Sequence, residues 1–168
     1  FPNDVTFVVG KSDFRTDWYF QHVPHNENPE AVSAPYRGIT TPGRATPFAV
    51  TFDLQAAPRG RAVLRLAIAG GGARQIDVTV NGQPAGTVDR LLVDGAITRH
   101  SIQGLWYERE VAFDAALLKA GNNTVTLTIP AGPVNNGVIY DYLRLELDES
   151  TSSAAITTGA TPLAVNHQ

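Results

Sequence analysis

A chain of 168 residues with 13 basic and 16 acidic side chains, net charge −3, is long enough for one domain with its own hydrophobic core. The acidic balance excludes the broad basic surface that sequence-independent nucleic-acid binding requires. The absence of cysteine excludes a disulfide framework or a thiolate metal site, while leaving export open.

Fifteen glycines and eleven prolines, with many threonines and valines, favour turns and strands over helices. No run of eighteen apolar residues is present, and no basic segment followed by an apolar one opens the chain. The start at Phe1-Pro2 is taken as a mature or expression boundary. Eleven of the thirteen basic residues are arginine, the better partner for flat bidentate acceptors such as carboxylates.

In chain order, Val5 to Val9 is a first strand ended by Gly10. Lys11 to Pro47 has no sustained period. It holds five prolines and the aromatics Phe14, Trp18, Tyr19, Phe20 and Tyr36, so it is expected to be a long irregular excursion packed onto the domain rather than disordered. Phe48, Val50, Phe52 and Leu54 then alternate with polar or small residues up to the turn at Pro58-Arg59-Gly60. Ala62, Leu64, Leu66 and Ile68 line a strand that breaks at Gly70-Gly71-Gly72. Ile76, Val78 and Val80 lead into Asn81-Gly82, the strongest hairpin signal in the chain, with a short return from Ala85 to Val88.

Ile97 to Ile102 and Glu110 to Phe113 are shorter strands, and Leu117 to Gly121 reads as one helical turn or tight bend. Val125, Leu127 and Ile129 resume the alternation. Asn136-Gly137 opens a closing strand in which Leu143, Leu145 and Leu147 share one face, with Tyr142, Arg144 and Glu146 on the other. Residues 149–168 carry no period and read as a flexible tail or linker after a domain of residues 1–148. Eight to ten short strands with frequent turns and no long helix predict an all-β antiparallel jelly-roll sandwich.

The chemistry-bearing residues do not assemble a nucleophile with a base, since no Gly-x-Ser-x-Gly elbow is present. His22 and His25, with Asp13 or Asp17, have a spacing that permits zinc only with help from elsewhere. Asp17, Asp94, Glu108, Glu110 and Asp141 are acids that a glycosidase would need to oppose across a cleft. The positive signal is aromatic. Trp18, Tyr19, Trp106 and Tyr107 fall in loops or at strand ends, where a ring can stack on a sugar face while His22, Arg99 and His100 take its hydroxyls or a carboxylate. Asp141 is the candidate ligand for a structural calcium, with a carboxylate closing a turn as the alternative.

Several stretches resemble, in order, the C-terminal domain of rhamnogalacturonan lyases of polysaccharide lyase family 4. They are Val9-Gly10-Lys11-Ser12-Asp13-Phe14, Asp17-Trp18-Tyr19-Phe20-Gln21-His22, Phe52-Asp53-Leu54, Leu66-Ala67-Ile68-Ala69-Gly70, Val80-Asn81-Gly82, Ile97 to Gly104, Leu118 to Thr124 and Tyr140 to Glu146. The resemblance spans roughly Val5 to Leu147. The Pro-rich insertion from Val23 to Pro47 and the tail after Leu147 depart from it.

It implies a galactose-binding-domain-like jelly roll, the third domain of an enzyme that cleaves the rhamnose–galacturonate backbone of pectin by β-elimination. The family's catalytic lysine and histidine lie in a large N-terminal domain outside this sequence, so no catalytic residue is carried over and the chain alone is not expected to be an enzyme. The role implied is that of a secreted or periplasmic, non-catalytic module for pectic rhamnogalacturonan, linked to or associated with a lyase domain, needing no cofactor beyond a structural calcium. The alternative is a structural accessory domain that packs on the lyase without sugar affinity of its own.

Overall fold

Period-2 alternation builds the long strands, and the computed structural model, which describes residues 4–26, 42–96 and 104–148, shows how they meet. The chain runs through β1 (Val5–Val8), a single helical turn α1 (Phe14–Asp17), β2 (Gln21–His22), β3 (Pro42–Gly43), β4 (Thr46–Leu54), β5 (Arg61–Gly71), β6 (Ile76–Val80) and β7 (Gln83–Val88). It continues with β8 (Tyr107–Asp114), a 3-10 turn (Ala115–Leu117), β9 (Gly121–Ile129), β10 (Gly132–Pro133) and β11 (Val138–Leu147).

The expected strand at Ile97 to Ile102, most of the Pro-rich insertion and the tail lie outside the described residues. The described parts of the stretch from Lys11 to Pro47 are more regular than its composition predicts. Asp13 caps α1 by accepting from the Arg15 amide at 2.9 Å, and β2 and β3 each add a short pair to a neighbour. β5 also continues through Gly70 and Gly71, because these glycines pair with Ile139 and Val138 instead of turning.

Two sheets form a sandwich, one ordered β1-β4-β9-β6-β7 and the other β2-β11-β5-β8, with β10 and β3 as a separate pair. The chain is therefore an all-β jelly-roll sandwich. One pairing breaks the antiparallel rule: β1 runs parallel to β4, which the long crossover between them permits. Phe48, Phe52 and Leu54 of β4, Leu64, Leu66 and Ile68 of β5, and Val125, Leu127 and Ile129 of β9 face one another between the layers. Most polar positions of the same strands face outward, whereas Thr46 of β4 and Asn123 of β9 are buried.

One end is locked by the Asn81-Gly82 hairpin, whose residues hold φ of 51° and 79° as a primed turn demands. Asn81 Nδ2 donates to Leu117 O and to Oδ1 of the fully buried Asn123.

Candidate functional site

The closing strand β11 carries a slip in phase at its centre. Ile139 pairs with Gly70, Tyr140 with Ile68 and Tyr142 with Ala67, so Ala69 of β5 and Asp141 of β11 are left without partners. These two compensating bulges explain why the inward positions change from Val138 and Tyr140 to Leu143, Leu145 and Leu147. The extra residue of a bulge is re-aimed, and Asp141 points outward, exposed.

There it meets Trp106. The indole Nε1–H donates to Asp141 Oδ2 at 2.9 Å, and the tryptophan remains 58% exposed. Trp106 sits just before β8, whereas Asp141 is on β11, with β5 between them. Two strand spacings are about 10 Å. The side chain must therefore cross the outer face of β5 to make this bond. Ala67, an outward position of β5 that pairs with Glu108 and Tyr142, is fully buried although it does not belong to the core cluster. Its register partners Tyr142 and Glu108 flank it on either side. The result is an aromatic plate fixed at its far edge and open above.

The loop that delivers Trp106 is braced by Asp94. Its Oδ1 accepts from the Ala96 amide at 2.8 Å, and its Oδ2 accepts from Leu105 at 3.0 Å and Gly71 at 3.3 Å, while its own N–H donates to Gly71 O at 2.8 Å. Gly104 lies so close to β5 that a Cβ there would stand 2.0 Å from the Ala69 carbonyl oxygen. Residues 97–103, which include Arg99 and His100, lie outside the described residues. Asp94 appears in the sequence only as one acid among many. Its signal is the following Gly95, since Asp-Gly in a loop marks a side chain that bonds the backbone two residues on.

Other expected ligand contacts sit elsewhere. His22 is corrected from a surface donor to a core residue: it is fully buried and its ring stacks on Phe48 with centroids 3.8 Å apart. Nε2 lies 2.7 Å from Thr46 O, which can only accept, so Nε2 carries the proton and Nδ1 accepts from the Tyr140 hydroxyl at 2.9 Å. Burial lowers its pKa to about 4, against the opposing pull of the Thr46 carbonyl and then of Asp4. The zinc pairing of His22 with His25 fails on the same occupancy.

Trp18 is half-buried, edge-on to Phe7 and Phe48 and tilted against Tyr140 at 6.0 Å. Tyr19 packs partly against the core, with its ring at 5.1 Å from that of Phe20. Tyr107 has one ring face under the Arg109 guanidinium, 4.6 Å from its centroid. Its hydroxyl accepts from Leu92 N at 3.0 Å, and burial pushes its pKa up. Of the expected aromatic contacts, Trp106 therefore has the open face, and the expected contacts Arg99 and His100 lie outside the described residues.

Further along the same outer face, Arg65 bridges Glu146 at 3.2 Å and Glu110 at 3.2 Å, and Glu146 also pairs with Arg144. Hydrogen bonding from Arg65, and then from Arg144, holds the Glu146 carboxyl below the usual range. A calcium at Asp141 would require six to eight oxygen ligands. Asp141 has given one oxygen to the indole, and among the described residues no group of three or more His, Cys, Asp or Glu gathers to supply a shell. Any shell around Asp141 would have to draw on carbonyl or water oxygens beyond the described carboxylates.

Comparison with known proteins matches residues 1–145 to the family described as CBM-like, polysaccharide lyase family 4, domain III. A rhamnogalacturonate lyase of Dickeya dadantii (strain 3937) is 26% identical over 161 residues, covering 86% of this chain but 22% of that protein, so the chain spans about a fifth of the relative's length. Among solved structures, a family 35 carbohydrate binding module from Clostridium thermocellum is 20% identical, covering 77% of this chain and 90% of that one, with a TM-score of 0.45. Another, from an environmental isolate, is also 20% identical, covering 71% and 74% with a TM-score of 0.43.

Proposed function

The chain belongs to the CBM-like domain III family of polysaccharide lyase family 4, and from that membership we propose that it is a non-catalytic carbohydrate-binding module that holds pectic rhamnogalacturonan on the outer face of its four-stranded sheet. The observation that carries this is the Trp106 indole, 58% exposed yet anchored through Nε1 to Asp141. A ring fixed in advance loses little rotamer entropy when a sugar stacks on it. Covering roughly 100 Å² of the plate contributes about 2.5 kcal/mol.

Arg99 is the proposed partner of a uronate carboxylate. Because the chain is net negative, attraction to an acidic polymer is local and weakens with salt. In a secreted or periplasmic lyase, a weak module of this kind raises the effective concentration of substrate at a tethered catalytic domain.

The second reading, an accessory domain that packs on a lyase domain, draws on the exposed apolar side chains of Leu92, Val93 and Leu105 next to Trp106. Titration of rhamnogalacturonan oligosaccharides into the isolated chain separates the two. The module gives saturable heat that Trp106→Ala abolishes. Absence of heat and of chemical-shift change at millimolar ligand leaves only the accessory role.

A further inference from the structure

At the side of the sandwich β8 is the edge strand of its sheet, β7 is the edge strand of the other, and the two lie in contact. A groove of about 610 Å³ beside β8 is lined by Arg65, Asp89, Arg90, Glu108, Arg109 and Glu110. Every lining residue is charged, and the three arginines balance the three acids.

Two of the arginines are occupied in building the walls. Arg65 is held between Glu110 and Glu146, and Arg109 donates through Nη1 to Glu108 O and through Nη2 to Arg90 O, both at 2.8 Å. Arg90 itself adopts φ of +53°, a left-handed backbone that few non-glycine residues take, and strain of this sort is concentrated at binding and catalytic sites. The exposed side chains of Asp89, Arg90 and Glu108 make no hydrogen bond or ion pair with another described residue. Their donors and acceptors face the groove without a hydrogen bond to any described residue.

We propose that this groove is a second carbohydrate subsite, taking a neutral sugar ring through its hydroxyls. Adjacent hydroxyls of such a ring can donate to the carboxylates of Asp89 and Glu108 while accepting from Arg90, and bonds of this charge-assisted kind are the stronger ones. A uronate gains nothing here, because its carboxylate meets as many acids as arginines. The backbones of Trp106, just before β8, and of Glu108, on β8, lie one two-residue step of about 6.7 Å apart. A single polysaccharide that stacks one ring on Trp106 can place another of its rings in the groove. This continuity rests on the role proposed for Trp106, whereas affinity of the groove for a neutral ring does not.

The test uses the ¹⁵N-labelled full chain, with methyl α-L-rhamnoside and galacturonic acid as separate probes and a rhamnogalacturonan hexasaccharide long enough for both subsites. The rhamnoside is expected to shift the amides of Asp89, Arg90, Glu108 and Glu110, with galacturonic acid leaving them in place. The double variant Asp89→Asn/Glu108→Gln, whose unfolding midpoint stays at the wild-type value, is expected to bind the hexasaccharide about tenfold more weakly. Groove amides that ignore the rhamnoside, or respond better to galacturonic acid, overturn the proposal. So does unchanged hexasaccharide affinity in the double variant, even where Trp106→Ala abolishes binding. Conversely, rhamnoside shifts in the groove with hexasaccharide affinity lowered by the double variant but unaffected by Trp106→Ala uphold the groove and overturn the aromatic platform.

Discussion

The two tryptophans meet consecutive residues of β11 from opposite sides. Trp18 lies 6.0 Å from the ring of Tyr140, which points inward, and Trp106 bonds to Asp141, which points outward. Trp18 has rings around its edges and packs on the core, whereas Trp106 has one polar anchor and an open face. The same residue type thus serves as an apolar filler in one place and as a plate in the other. The difference is set by what each ring meets: Trp18 meets the inward-facing Tyr140 among core rings, and Trp106 meets the outward-facing Asp141. Function is to be sought where an aromatic ring is held but not covered.

The largest effect that sharpens this contrast is on stability. Trp18→Ala is expected to cost about 3 kcal/mol, the lower end for an aromatic truncation because the ring is only half-buried. Trp106→Ala should cost under about 1 kcal/mol in urea unfolding while removing oligosaccharide binding. If the two variants exchange these profiles, the roles assigned to the two rings are reversed.

The sealed side also predicts a pH dependence of about 3 kcal/mol. His22 titrates near 4 when folded and near 6.5 when unfolded. Below pH 6.5 the unfolded chain therefore takes up a proton that the folded chain refuses. Its contribution is fully present above pH 6.5 and is lost as pH falls towards 4. Unfolding curves at pH 7 and pH 4 should differ less in His22→Gln than in the wild type by about that amount, and an equal difference in both proteins would place the pH dependence in other groups.

A smaller effect tests the anchor. Asp141→Ala removes the acceptor of the Trp106 indole and should weaken binding by about 1 kcal/mol, roughly fivefold, through loss of orientation, with a similar or smaller change in stability. Unchanged affinity would mean that the plate does not depend on being held. The smallest effect concerns metal: a chelator is expected to leave the melting temperature unchanged, and a clear fall would place a calcium that the described side chains do not provide for.

Much of the scaffold is legible in the sequence because one-sided burial writes itself as alternation. Ile76 to Val80 is predicted to the residue, and the Asn81-Gly82 turn follows from the backbone its two residues can adopt. The bulge was also visible in principle, since Val138 and Tyr140 share one parity and Leu143, Leu145 and Leu147 share the other, a change that a continuous strand cannot contain. The site was harder to see. An exposed aromatic and a buried one look alike in sequence, and Trp18 lies in an aromatic-rich stretch that invites a binding role. His22 belongs to the same stretch, yet its partners Thr46 and Tyr140 are 24 and 118 residues away. The groove at Asp89, Arg90 and Glu108 joins separate segments whose charges look like any solvated surface.

The most direct measurement tracks the two indole N–H resonances of the ¹⁵N-labelled chain, one for each of its two tryptophans, during titration with a rhamnogalacturonan oligosaccharide. Trp106 should shift and saturate while Trp18 stays in place. A stationary Trp106 signal at saturating ligand, or a shift confined to Trp18, would contradict the aromatic platform.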